Sequence, residues 1–115
     1  MREELRDMAA QMIHDITKQL GKKFAVTSGA DARVYDICDM VGDLMEKIEA
    51  TNCFVEADPN ARVLTLGVVC DDMILQHGRI DPFFELIKHV GSFSFSKEGE
   101  SLAIRFNIYN IWRYV

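Results

Sequence analysis

The segment QMIHDITKQL, at residues 11–20, places a histidine and a carboxylate at adjacent positions, and both groups can take part in chemistry. It lies in a stretch, residues 2–20, whose apolar residues recur every three or four positions, which predicts an amphipathic helix. On that helix His14 points away from the apolar stripe and into solvent. Because a neutral imidazole can act as a nucleophile or a proton acceptor, His14 is a candidate reactive group, with Asp15 as its neighbour.

This string resembles the phosphoacceptor segment of histidine kinases and histidine phosphotransfer proteins, where an exposed histidine is phosphorylated and the following acid orients it. The resemblance implies a phosphotransfer-like signalling protein with His14 as phosphoacceptor and Asp15 as orienting residue. It covers about ten residues, and the asparagine-bearing and glycine-rich ATP-binding boxes of the kinases do not occur in the sequence. The alternative interpretation is an ordinary surface histidine beside a surface acid.

The other residues with ligand or nucleophile chemistry are scattered. Cys38, Cys53 and Cys70 contain no CxxC pair, so we expect reduced, mostly buried thiols instead of a zinc knuckle or a disulfide framework. One short stretch holds a set of metal-ligand types whose spacing matches no known ligand module: Cys70, Asp71, Asp72, His77 and Asp81. The sequence therefore predicts no metal, no cofactor and no enzymatic activity.

Length and composition indicate one globular domain spanning residues 1–115. Apolar residues make up 49% of the chain and charged residues 27%, which is an ordinary composition for a folded domain. No apolar run approaches the roughly 18 residues that a membrane span needs, and the first ten residues lack the apolar run of a signal peptide. We expect a cytoplasmic protein without membrane contact.

The net charge of -5 is concentrated in residues 31–59, which hold eight acidic and two basic residues. Such a segment repels phosphate backbones, so direct nucleic-acid binding is not expected. A solvated acidic helix face accounts for the pattern. Mimicry of nucleic acid toward a basic partner is a further interpretation.

The remaining elements follow from apolar periodicity. A second helix, with Ser28 and Asp31 as a capping-box-like start, should pack antiparallel against the first. Two hairpins follow, with turns at residues 58–61 and 97–100, and these loops place Val55 opposite Leu64 and Phe95 opposite Leu102. A short helix capped by Asp81 links the hairpins. The predicted fold class is α+β: a two-layer domain in which helices cover one face of a four-stranded antiparallel or mixed sheet.

The C-terminal stretch SLAIRFNIYNIWRYV raises the question of an interface. In its first part every second residue faces the core: Leu102, Ile104, Phe106 and Ile108. This row is expected to pair with the row of Phe93 and Phe95 on the neighbouring strand. Four large side chains then crowd both faces of the segment: Tyr109, Ile111, Trp112 and Tyr114. They either pack against the helical pair or meet a partner chain.

The sequence thus favours a non-enzymatic cytoplasmic interaction or regulatory domain, expected to be a homodimer. The helical pair and the aromatic C-terminal segment are the expected contact surfaces, for a second copy or another protein partner. Two alternatives remain. One is the phosphotransfer-like protein described above, and the other is a small-ligand sensor with a pocket between helices and sheet.

Overall fold

The structure, a computed structural model, describes residues 1–71 and 81–115, with side chains described for 1–71 and 83–115. Along the chain lie α1 (Arg2–Leu20), β1 (Phe24–Val26), α2 (Ala30–Lys47), β2 (Asn52–Asp58), β3 (Val63–Asp71), α3 (Asp81–Ile87), β4 (Ser92–Glu98), β5 (Ser101–Ile108) and β6 (Trp112–Tyr114). The predicted α+β class is confirmed. No helix within the described ranges has the length and apolar character needed to cross a membrane.

The first two helices pack side by side in opposite directions, and two ion pairs mark the seam between them. Arg2 pairs with Asp43, and Arg6 pairs with Asp39 at 2.9 Å. Moving one turn toward the C-terminus of α1 therefore corresponds to moving one turn toward the N-terminus of α2, as expected for antiparallel helices. The basic side chains of α1 therefore neutralise part of the acidic face of α2. Exposed ion pairs contribute about 0 to 1 kcal/mol each, so they set helix direction more than stability.

The start of α2 differs from the prediction. Gly29 precedes the first turn with a φ of 79°, and no side chain caps the helix there. The carboxylate of Asp31 instead accepts a hydrogen bond from the backbone N–H of Ala32. The predicted capping box of Ser28 and Asp31 is therefore not formed, because a left-handed glycine turns the chain into the helix.

The two hairpins join into one antiparallel sheet with the strand order β2-β3-β5-β4. Alternate residues of the two central strands are buried beneath the helices. They are Leu64, Leu66, Val68 and Cys70 on β3, and Leu102, Ile104, Phe106 and Ile108 on β5. Between the two strands Leu66 lies opposite Phe106. The two-layer arrangement is confirmed, with the sheet antiparallel.

Both predicted hairpins form, but the predicted register is wrong by two residues in each. In the first hairpin Val55 lies opposite Leu66, and Asp58 still pairs with Val63. The carboxylate of Asp58 accepts hydrogen bonds from the next backbone N–H groups, at residues 60 and 61, which allows the loop to begin after Asp58. Arg62, with a φ of 57°, closes this loop.

In the second hairpin Phe95 lies opposite Ile104, and Glu98 pairs with Ser101. The loop therefore contains two residues instead of four. Gly99 has a φ of 64°, and a positive φ at the first loop position is what a tight two-residue hairpin turn requires. A shift of two residues leaves every side chain on its predicted face.

The C-terminal segment leaves the main sheet after Ile108. Asn110 adopts a φ of 60°, and the chain then forms β6, which pairs with β1 as a separate two-stranded sheet. Trp112 lies opposite Val26 in this pairing. The Arg33 side chain of α2 donates a hydrogen bond to the carbonyl oxygen of Tyr109 at 2.6 Å, which fixes the turn against the second helix.

The three cysteines are free and buried, as predicted. The pKa of the Cys38 thiol is raised from an ordinary 9.0 to about 12, chiefly by burial; the Arg6 guanidinium opposes this shift, and the Asp39 carboxylate and Cys53 add to it. Burial also raises the pKa of Cys53. The Cys38 and Cys53 thiols therefore stay protonated at neutral pH.

The raised pKa of Cys38 predicts a loss of stability in alkali. Below about pH 9 the thiol is protonated in both states, but above it the unfolded chain releases a proton that the folded chain retains. The free energy of unfolding should fall as pH rises from 9 toward 12, by up to a few kcal/mol. Urea denaturation between pH 7 and 10.5 should show a flatter pH dependence for Cys38→Ala than for the wild-type chain. Parallel curves would show that the fold does not hold this thiol neutral.

Candidate interaction surface

The sheet face opposite the helices carries a chain of hydrogen-bonded polar side chains. Thr65 Oγ1 donates to Asn107 Oδ1 at 2.7 Å, and Asn107 Nδ2 donates to Ser92 Oγ at 2.9 Å. Ser92 Oγ is in turn 2.7 Å from the hydroxyl of Tyr109. These contacts cross β3, β5 and β4, and they join the polar groups to one another.

A second group of contacts on the same face involves all four strands. The Arg105 guanidinium donates from Nε to Glu56 at 2.9 Å and from Nη1 to Ser96 Oγ at 2.8 Å. It also lies 5.0 Å from the ring centroid of Phe54, a cation-π contact. The Phe54 ring in turn covers Gly67, where an added Cβ would overlap the ring. The polar side chains of this open face are largely paired with one another.

The predicted interface residues separate into two pairs. Ile111 and Trp112 are 0% and 1% exposed, so the structure places them in the core, where their side chains are not available to a partner. The reason is the turn at Asn110, which directs the segment to pair with β1 and lets Trp112 Nε1 donate to Thr17 Oγ1 of α1 at 3.0 Å. Tyr109 and Tyr114 remain on the surface.

His14 and Asp15 are both exposed on α1. The carboxylate of Asp15 accepts a hydrogen bond from Gln11 Nε2 at 2.8 Å, so its described partner lies one turn earlier on the helix. The solvent-facing position predicted for His14 is confirmed. Its role as phosphoacceptor stays a prediction.

The residues considered for a metal site cannot be assembled from the described structure. Asp72 and His77 lie outside the described residues, as does the side chain of Asp81. Cys70 is buried in the row of β3 that faces the helices. In the described part of the chain, no three His, Cys, Asp or Glu side chains come together as metal ligands would.

The clefts that described residues line are small. One at the end of the helical pair measures about 260 Å³ and includes Arg2, Gly42 and Glu46, and one between α2 and α3 measures about 200 Å³. Ligand pockets usually measure roughly 300 Å³ or more. Neither cleft lies between the helices and the sheet, so the small-ligand alternative stays a prediction without support from these clefts.

A cluster of phenylalanines surrounds the outer strand β4. Phe83 of α3 is 8% exposed, and its ring centroid lies 5.0 Å from Phe93, 5.5 Å from Phe95 and 5.8 Å from Phe106. Three other rings around it remain partly in water, with 52%, 40% and 42% exposure. They are Phe84, Phe93 and Phe95, here called the phenylalanine patch.

The partial exposure of Phe93 and Phe95 differs from the expected core row. Their side chains do point to the helix side of the sheet, as predicted, but β4 is an outer strand of that sheet. Phe83 is the α3 ring in contact with both of them. The alternating pattern SFSFS predicted the strand, but it carried no signal about which strand would be outermost.

The two outer strands differ in how they discourage pairing with other chains. On β2, Glu56 and Asp58 place acidic groups along the edge, a common protection against edge-to-edge association. On β4, residues 92–96 contain neither a charge nor a proline, and the charges of Lys97 and Glu98 come at its end. The edge of β4 therefore lacks this protection in the part that carries the phenylalanine patch.

The contact between Phe54 and Gly67 predicts a non-additive effect on stability. Gly67→Ala should destabilise the chain by about 1 to 2 kcal/mol, because the new methyl group displaces the ring and with it the Arg105 contact. In a Phe54→Ala background the same substitution should cost nothing or stabilise, since glycine within a strand is itself unfavourable. A double-mutant cycle by urea denaturation measures the coupling. An equal cost in both backgrounds would contradict the assigned contact.

The phosphoacceptor prediction for His14 can be tested against a matched histidine. His89 is also exposed, but Val90 follows it where Asp15 follows His14. If the prediction holds, a small phosphodonor such as phosphoramidate labels the wild-type chain and His89→Gln, whereas His14→Gln loses the acid-labile phosphohistidine. Equal labelling of the two variants, or no label in the wild-type chain with kinase or small donor, would remove the idea.

Comparison with known proteins gives this surface no precedent: no protein-family model, no curated protein and no solved structure matches the chain.

Proposed function

We propose that this chain is a non-enzymatic, cytoplasmic interaction domain that binds a protein partner along the β4 edge and the phenylalanine patch. The observation that carries this proposal is the exposure of Phe84, Phe93 and Phe95, each between 40% and 52%, beside an outer strand without charge in residues 92–96. Exposed apolar clusters of this kind are typical of sites that bind proteins. An outer strand adds main-chain hydrogen bonds when a partner strand pairs with it.

The patch is large enough to matter energetically. Three half-exposed phenylalanines leave roughly 250 Å² of aromatic surface in water. Complete burial of that area is worth about 6 kcal/mol at 25 cal/mol per Å², before any cost of association. This term offsets part of the lost translational and rotational freedom, and strand pairing supplies orientation.

The open face of the sheet supports the same choice of surface by contrast. Thr65, Asn107 and Ser92 direct their polar groups at one another, and Arg105 donates to Ser96 and Glu56. A partner docking there would have to replace hydrogen bonds that already exist, at a cost for each group left unpaired. Among the described residues, the phenylalanine patch has no comparable set of polar side-chain hydrogen bonds to break.

The chemistry of the described side chains supports a non-enzymatic role. A cysteine acts as a nucleophile in its thiolate form, and burial raises the pKa of the Cys38 thiol to about 12. The net charge of -5 favours a protein over a nucleic acid as partner. His14 remains the alternative reactive residue, supported by its exposure on α1.

A site-specific photocrosslinker tests the proposed surface. Benzoylphenylalanine in place of Phe95 should give a discrete adduct in the native cell, because position 95 lies in the docked edge. The same group in place of Tyr114 is the matched control, since Tyr114 is 68% exposed but lies on β6, in the separate two-stranded sheet. Adducts that are equal at both positions, or absent at position 95 in a chain with normal circular dichroism, would overturn the proposal. The mass and peptide composition of the adduct identify the partner.

A further inference from the structure

We infer that the partner bound at the β4 edge is a second copy of this chain, with two β4 strands pairing antiparallel about a twofold axis at Ser94. The inference rests on the proposed function, since it names the occupant of the same surface. It joins two four-stranded sheets into one continuous sheet of eight strands, with the helices of both copies on the same side.

The first argument is the symmetry of the β4 sequence. Residues 92–96 read Ser-Phe-Ser-Phe-Ser, which is the same in both directions. A twofold axis at Ser94 therefore places Phe93 beside Phe95 of the partner subunit, and Phe95 beside Phe93 of the partner subunit. Four aromatic rings meet on the helix side of the joined sheet, and the serines meet on the open side. Aromatic pairs across antiparallel strands stabilise the pairing of those strands.

The second argument is charge. In the register centred on Ser94, Lys97 lies opposite Gly91 of the partner subunit, and Glu98 lies opposite Val90 of the partner subunit. Both of these facing residues are uncharged. No like charges are opposed along the shared edge. On the other outer strand, Glu56 and Asp58 lie two positions apart and so point to the same face. Because Glu56 is already paired with Arg105 in each copy, the unfavourable charge that self-pairing of β2 would bring into the joined edge is chiefly that of the two Asp58 carboxylates. The charge pattern thus selects β4 as the strand that pairs with itself.

The third argument is area. The phenylalanine patch supplies roughly 250 Å² per copy, about a third of the 800 Å² per partner that a standard interface buries. The main-chain edge and the serines of β4 add to it. Because the patch by itself lies well below the standard size, the dimer is expected to be weak and reversible, with dissociation in the micromolar range of concentration.

Ser94 offers a substitution that tests the axis itself. It is exposed, and its Cα pairs with that of Arg105 within the sheet. Ser94→Lys and Ser94→Glu each place two like charges opposite one another across the twofold axis. Within a single copy, the lysine of Ser94→Lys would lie near the like charge of Arg105, whereas the glutamate of Ser94→Glu would lie near an opposite charge. Dissociation by both variants therefore cannot arise from a local effect of Arg105.

The experiment is sedimentation equilibrium on the full chain at concentrations from about 1 to 300 μM, a range that brackets a micromolar dissociation constant. The wild-type chain should shift from monomer to dimer, and each single variant should remain monomeric. An equimolar mixture of Ser94→Lys and Ser94→Glu should recover the dimer, because lysine in one copy then faces glutamate in the other. Asn52→Lys, at an exposed position of β2, is the control and should dimerise as the wild-type chain does.

Three results would overturn the inference: a monomeric wild-type chain at 300 μM or so, far above a micromolar dissociation constant, an undiminished dimer in Ser94→Lys, or a mixture that stays monomeric. Its failure is distinguishable from that of the proposed function. A monomeric chain that still gives an adduct of another mass at position 95 keeps the interaction surface and removes the second copy. A dimer that persists in Ser94→Lys, together with no adduct at position 95, removes both.

Discussion

The pairing of β3 with β5 is the contact on which the remaining structure depends. Each hairpin taken alone is a two-stranded ribbon, and such ribbons are at best marginally stable in water. Joining them places Leu66 opposite Phe106 and Val68 opposite Ile104 in one buried surface beneath the helices. The helical pair then has an apolar layer to cover, and the ion pairs of Arg2 and Arg6 with α2 set its direction.

The same pairing decides what the outer parts of the sheet can do. With β3 and β5 in the centre, β2 and β4 become the outer strands. Strand β2 carries acidic groups along its edge, whereas Phe93 and Phe95 of β4 are covered in part by Phe83 of α3. The open face is held by mutual hydrogen bonds centred on Arg105 and Asn107. The proposed association at the β4 edge would add apolar and main-chain contacts to this arrangement.

The C-terminal segment shows how a run of aromatic residues can serve the core. The turn at Asn110 takes the chain off the main sheet, and β6 pairs with β1 beside the helices. Trp112 is thereby buried, with its indole N–H donating to Thr17 of α1. This contact connects the last residues of the chain to the first helix. Of the aromatic residues near the C-terminus, Trp112 thus packs in the core, whereas Tyr114 lies on the surface.

The sequence by itself determined the two long helices, the two hairpins and their faces, but not β6 or its pairing with β1. Apolar periodicity predicted α1 from Arg2 to Leu20, and alternation predicted which residues of β3 and β5 face the helices. Alternation could not determine register, since a shift of two residues keeps every face; the Asp58 hydrogen bonds and the positive φ of Gly99 decided it. Only the tertiary structure decided the strand order, and with it the burial of Trp112 and the exposure of Phe93. These properties depend on contacts between residues far apart in the chain, which local patterns do not encode.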